Sequence, residues 1–105
     1  MKYQVVRSEK AADQLYDLLH YMTEDSGNID NTLEYLNELQ AAIMGLSECP
    51  YKGISPRYSA LRKQGYYILI AGNQHIFYKI NEPEQLVVIY AVVTGSNIYQ
   101  NFIRK

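Results

Sequence analysis

The stretch YYILIAGNQHIFYKINEPEQLVVIYAVV, residues 66–93, constrains the fold more than any other part of this chain. Three runs, 66–71, 74–81 and 86–93, are dominated by Ile, Val, Leu, Phe and Tyr, side chains that pack well on a pleated surface. Gly72 and Asn73 separate the first two and tolerate the positive φ of a tight hairpin. Glu82-Pro83-Glu84 closes the second turn, because Pro83 has no N–H to give to a sheet ladder. The pattern predicts a three-stranded antiparallel meander. Alternation puts Tyr66, Ile68 and Ile70 on one face and Tyr67 and Leu69 on the other. In the next strand His75, Phe77 and Lys79 alternate with Ile76, Tyr78 and Ile80, while the last run is apolar on both faces. We expect one face under helices and another presenting Tyr67, His75 and Lys79.

The preceding residues read as cover for that sheet. A β-prone run, 3–7, adds a strand, and Ser8 offers a side-chain oxygen to the first amides of a helix. Ala11, Leu15, Leu18, Leu19 and Met22 then recur at helical spacing. Asp25-Ser26-Gly27-Asn28 breaks the pattern, and Asp30 is placed to cap a second helix carrying Leu33, Leu36, Leu39, Ile43 and Leu46. That narrow seam suits an antiparallel helical hairpin. The second helix ends before Pro50, since a residue preceding proline avoids the α region. Residues 49–64, with two prolines, a glycine and two serines, read as a long irregular loop containing four of the ten bases. Residues 98–103 form a short tail of helix or strand.

At 105 residues the chain is one domain over 1–105, large enough for a single core. One cysteine, Cys49, excludes an internal disulfide and a cysteine-based zinc site. No membrane-length apolar run or leader pattern is present, so a cytoplasmic protein is expected. Charge is divided along the chain. Residues 1–48 hold nine acids and three bases, whereas 49–105 hold seven bases and two acids. The later half therefore offers a modest basic field to an anionic partner, or merely a solvated face. No metal-ligand set, phosphate-cradling glycine loop or Ser/His/Asp triad is recognisable, and no cofactor is expected.

Candidate site residues follow from this layout. His75 suits proton transfer, because histidine is the side chain that ordinarily changes charge nearest neutral pH, but without a visible partner it reads first as a surface histidine. His20, beside Leu19 and Tyr21, reads as structural. Arg62 and Lys63 immediately precede the sheet and could hold phosphate or an acidic protein surface. Among the eleven tyrosines, Tyr67 and Tyr99 are the better candidates for target contact, whereas Tyr16, Tyr21, Tyr78 and Tyr90 belong at core edges.

Taken in order, the opening strand, SEKAADQLYDLLHYMTEDS, LEYLNELQAAIMGLSECPYKG, YYILIAGNQHIFYKIN and LVVIYAVV resemble the RelE/ParE superfamily of toxins from bacterial type II toxin–antitoxin modules. Gly72, Asn73, Ile76, Phe77 and Tyr78 fall in register with a hairpin frequent in that family. The resemblance implies an α+β fold of order β-α-α-β-β-β, with an antiparallel sheet packed against an N-terminal helical hairpin. It also implies a cognate antitoxin and growth inhibition by the free toxin, as in plasmid stabilisation.

The family divides by target. RelE-like members cleave mRNA on the ribosome, which requires activating a 2′-hydroxyl, neutralising the phosphate and protonating the leaving oxygen. Here His75 stands where arginine is common, Tyr66 and Ile68 where the prototype has lysines, and Thr94-Gly95-Ser96-Asn97 where a basic or histidine-bearing motif is expected. ParE-like members act on DNA gyrase and need no hydrolytic set, and the chain is nearer that branch. The resemblance thus implies DNA gyrase as target, with the ribosome and mRNA as the alternative and a degenerate non-toxic interaction domain as a third reading. Target contact is expected from Lys52, Arg57, Arg62, Lys63, Tyr67, Lys79 and Tyr99, and His75 and Arg62 would be catalytic were the protein an RNase. Self-association as a homodimer stays open.

Overall fold

The computed structural model describes residues 2–26 and 29–94. In chain order the elements are β1 (Gln4–Arg7), α1 (Glu9–Ser26), α2 (Ile29–Met44), α3 (Ser59–Lys63), β2 (Tyr67–Ala71), β3 (Gln74–Asn81) and β4 (Leu86–Thr94). Tight 3-10 turns occupy Gly45–Ser47 and Pro50–Lys52 between α2 and α3. Residues 98–103, expected as a tail, lie outside the described residues.

The helices start and pack for local reasons. Ser8 caps α1, its Oγ accepting the Ala11 N–H at 3.1 Å. Asp30 does not cap α2: that helix begins at Ile29, so the carboxylate sits inside the first turn, where it still favours the amide dipoles. The seam of α2 also differs from the expected one at a single position. Leu33 is 46 % exposed, while Thr32 is buried together with Leu39, Ile43 and Leu46. Counting back from Leu36, four residues rather than three continue the buried stripe, so it begins at the threonine.

The four strands form one sheet in the order β1-β4-β3-β2. The meander is antiparallel, as expected, but the sheet as a whole is mixed, since β1 runs parallel to β4 with Val5 opposite Val87. Among the described residues no strand lies beside β4 beyond Arg7, and Ser8 and α1 supply the missing partners. The Tyr90 carbonyl accepts the Ser8 hydroxyl at 3.2 Å, and the Val92 N–H donates to Gln14 Oε1 at 2.7 Å. These bonds satisfy buried-edge polar groups that would otherwise destabilise the junction.

Each sheet face has its own apolar cluster. On the first, Leu69, Ile76, Tyr78, Val87, Ile89 and Val92 pack against Ala11, Leu39, Ile43 and Leu46 of the helical hairpin and the turn after it. On the second, Ile68, Phe77, Ala91 and Val93 gather with Leu61 of α3 and half-buried Tyr66. A β-bulge makes this division possible. The register shifts between Phe77 and Tyr78, which pair with Ala91 and Ile89 and leave Tyr90 as the extra residue. Strict alternation from Ile89 puts Tyr90 on the second face and would send Ala91 back to the first; the bulge keeps Ala91 on the second face beside it.

The expected long loop is more ordered than its breakers suggest. Ile54 pairs with Ile68 through two backbone hydrogen bonds, 2.8 and 2.9 Å, on the outer edge of β2. Tyr78 Oη donates to the Pro50 carbonyl at 2.8 Å and accepts the Gly53 N–H at 3.0 Å. A Cβ on Gly53 would meet that hydroxyl at 2.5 Å and the Ile68 carbonyl oxygen at 2.7 Å, so the close approach requires glycine. The segment thus starts under the helices, rounds the edge of β2 and ends as α3 on the opposite face. Its prolines and Gly53 fall between the turns, while Ser-Ala-Leu-Arg-Lys supplies enough helix formers for one short helix.

Candidate functional site

The second face is the part of the sheet that the helical hairpin leaves uncovered. β2 and β3 present Ile70, His75 and Lys79 there, and β4 adds Tyr90. Ile70 is 53 % exposed, an unusual level for an isoleucine within a sheet. At the end near the β3–β4 turn, Tyr66 and Tyr90 meet edge-to-face with ring centroids 5.7 Å apart. The Lys79 ammonium lies over both rings, 4.7 Å from the Tyr66 centroid and 5.4 Å from that of Tyr90. Such contacts attract a cation to the electron-rich ring faces and fix its position. Burial, and then the neighbouring Tyr90, push the Tyr66 hydroxyl above its ordinary value, so Tyr66 stays neutral at physiological pH. A cleft of about 480 Å³ opens beside the ammonium, lined by Lys79, Ile80, Asn81, Glu82, Pro83, Val88 and Tyr90.

The other expected site residues separate into groups. His75 is half-buried on the second face, between Ile70 and Val93 in register, and its buried Nδ1 has no hydrogen-bond partner among the described residues. Arg62, on α3, is anchored inward: its Nη1 donates to the Pro56 carbonyl at 2.8 Å and to the Arg57 carbonyl. That arrangement makes Arg62 a staple of its own loop. Arg57 and Lys63 are exposed on the same side as α3, whereas Lys52 precedes the point where the segment rounds the edge. Among the described residues, seven exposed acids of α1 and α2 (Glu9, Asp13, Asp17, Glu24, Asp30, Glu34 and Glu38) lie in the opposite layer. The division of charge along the sequence becomes a division between the two sides of the sheet.

Tyr67 is placed differently from the expectation. It lies on the first face, stacked on Tyr78 with centroids 5.7 Å apart and edge-on to Tyr51 at 5.6 Å. It therefore does not share a face with His75 and Lys79. The cause is register: Tyr67 pairs with Tyr78, and paired residues point the same way. Tyr99 and residues 95–97 of the TGSN motif fall outside the described residues. Tyr66 and Tyr90, which complete the lysine cluster, were not among the expected site residues. Alternation marks the face of each within its own strand, Tyr66 with Ile68 and Tyr90 opposite Ile89, but bringing the two rings to Lys79 depends on the register between strands.

Among the described residues, no group of three His, Cys, Asp or Glu side chains is arranged to hold a metal, and no helix is long and apolar enough to cross a membrane. Comparison with known proteins places this geometry. Residues 5–99 match the family described as the ParE toxin of the type II toxin–antitoxin system parDE. In shape the chain is similar to one from the chromosomal ParDE system of P. aeruginosa, with a TM-score of 0.72 at 12% identity, covering 89% of this chain and 96% of that one. It is also similar to one from the RelBE2 toxin–antitoxin complex of Mycobacterium tuberculosis, with a TM-score of 0.60 at 21% identity, covering 90% and 92%. At these identities the two structures speak for the fold alone. No curated protein matches by sequence. With nearly its whole length matched, and with the hairpin-covered mixed sheet in place, this chain belongs to the ParE toxin family of type II toxin–antitoxin systems.

Proposed function

We propose that this toxin acts by binding rather than by cutting, with DNA gyrase as its target and a cognate antitoxin as its neutralising partner. The observation that carries the reading is the dispersal of the groups an RNase would need. His75 makes no hydrogen bond through Nδ1, and Arg62, the expected phosphate ligand, is engaged by the carbonyls of Pro56 and Arg57. General acid–base cleavage needs its donor, acceptor and cation around one phosphate. The basic side formed by Arg57, Lys63 and Lys79 is instead suited to steering an acidic macromolecular surface. The family match supports a parDE-type role, and the neighbouring toxin–antitoxin structures support an antitoxin partner.

One observation favours a second reading, ribosome-dependent mRNA cleavage: an imidazole with a free ring nitrogen stands on the face shared with Lys79. Induced expression without antitoxin, followed by parallel assays of gyrase supercoiling and protein synthesis, separates the two. We expect supercoiling to fail first and His75→Ala to leave toxicity within about twofold, since a residue outside the chemistry contributes little. Early translation arrest with intact supercoiling, abolished by His75→Ala, would establish the RNase. Unchanged growth with both assays normal would mark a non-toxic member of the family.

A further inference from the structure

We infer that the cleft at the β3–β4 end of the second face is a receptor for a single carboxylate carried on an otherwise apolar peptide segment of a partner protein. Its anion-binding group is Lys79. Among the described residues no carboxylate pairs with this ammonium, and the Tyr66 and Tyr90 rings hold it at one place on the rim of the cleft. A lysine fixed in this way has already lost much of the rotamer freedom that ordinarily offsets an ion pair. The rings are occupied by the ammonium, so a nucleobase cannot stack on the faces it covers. What the cluster offers is a positioned N–H donor, and its complement is an anionic oxygen.

The rest of the cleft decides between a carboxylate and a nucleic-acid backbone. Glu82 lines the same cleft and is fixed by the Tyr3 hydroxyl, which donates to Oε1 at 2.6 Å. One cation and one anion leave the cleft without net charge, and a chain of phosphates following it would be repelled at Glu82. Pro83 and Val88 add apolar lining beside these two charges. A peptide fits this pattern if it places one Asp or Glu at Lys79, an apolar side chain against Val88 and Pro83, and an uncharged or basic group toward Glu82. The inference goes beyond the choice of cellular target, and its test includes neither gyrase nor ribosome, so the two readings fail separately.

The probe is a library of random short peptides displayed on phage and selected on the full chain. Selected peptides should carry an acidic residue next to an apolar one, and their synthetic forms should shift the amide resonances of Lys79, Asn81, Val88 and Tyr90. Lys79→Met keeps the stem against the rings and should weaken binding about tenfold, as expected for loss of a charge-assisted hydrogen bond, with Lys79→Arg restoring most of it. Gln or Asn in place of the peptide's acid should act like Lys79→Met. Selection without acidic preference, or equal binding to Lys79→Met, would overturn the inference. So would an oligo-dT strand that shifts the same resonances at lower concentration than the peptides.

Discussion

The Tyr78 hydroxyl bridges Pro50 and Gly53 at the point where the chain rounds β2, so Tyr78→Phe leaves a buried carbonyl and an amide unpaired. We expect a loss of about 2 kcal/mol in urea unfolding, the usual cost of stranding buried polar groups. The same residue belongs to a pH effect with a definite sign. Burial raises the pKa of Tyr78 and of Tyr66, and the hydrogen bond to Glu82 raises that of Tyr3, each from an ordinary 10.0. Below pH 10 these tyrosines are protonated in both folded and unfolded chains, and their contribution is fully present. Above it the unfolded phenols ionise first, the folded state holds more protons, and stability falls as pH rises. Urea midpoints should therefore be level toward pH 10 and decline beyond it, less steeply in Tyr78→Phe.

At the scale of elements, α1 and β4 are joined by Ser8, which both caps the helix and bonds the Tyr90 carbonyl beside the bulge. Ser8→Ala should cost about 1–2 kcal/mol, at the upper end for a cap because the second bond is lost too. Ser8→Thr, which keeps the hydroxyl, should recover most of that. The three meander strands were legible because Gly72-Asn73 and Pro83 punctuate them, and Gly72 does take a φ of +61°. The bulge was not legible, since nothing in Ile89-Tyr90-Ala91 interrupts a good strand sequence. It depends on partners supplied from α1, far away in sequence. The placement of Tyr67 failed for a related reason. Alternation fixes faces within a strand, whereas grouping it with His75 required the cross-strand register. In the loop, single breakers such as Pro56 and Gly53 concealed turns short enough to lie between them. Of the candidate site, Lys79 was readable as a surface cation, but bringing Tyr66 and Tyr90 to it required the register between strands.

For the whole molecule, the sheet sets two differently charged layers back to back. The acidic hairpin covers one face, and Arg57, Lys63 and Lys79 mark the other side, so a partner engaged by the basic side need not meet the helices. The strand order also has a consequence in time. β1 is the first strand made, yet its neighbour β4 is the last, and Gln4 waits for Leu86 before its backbone is paired. Contacts this far apart along the chain close late, because loop entropy must be overcome before they give any return. A nascent chain ending before β4 has neither a place for β1 nor a floor for α1, which Ser8 and Gln14 tie to that strand. A fragment of residues 1–81 should accordingly give a disordered circular-dichroism spectrum and no cooperative thermal transition, while the full chain gives both a folded spectrum and a cooperative transition. During synthesis the toxin is therefore assembled almost at once, at the end, and little of its working surface exists until translation of the sheet is complete.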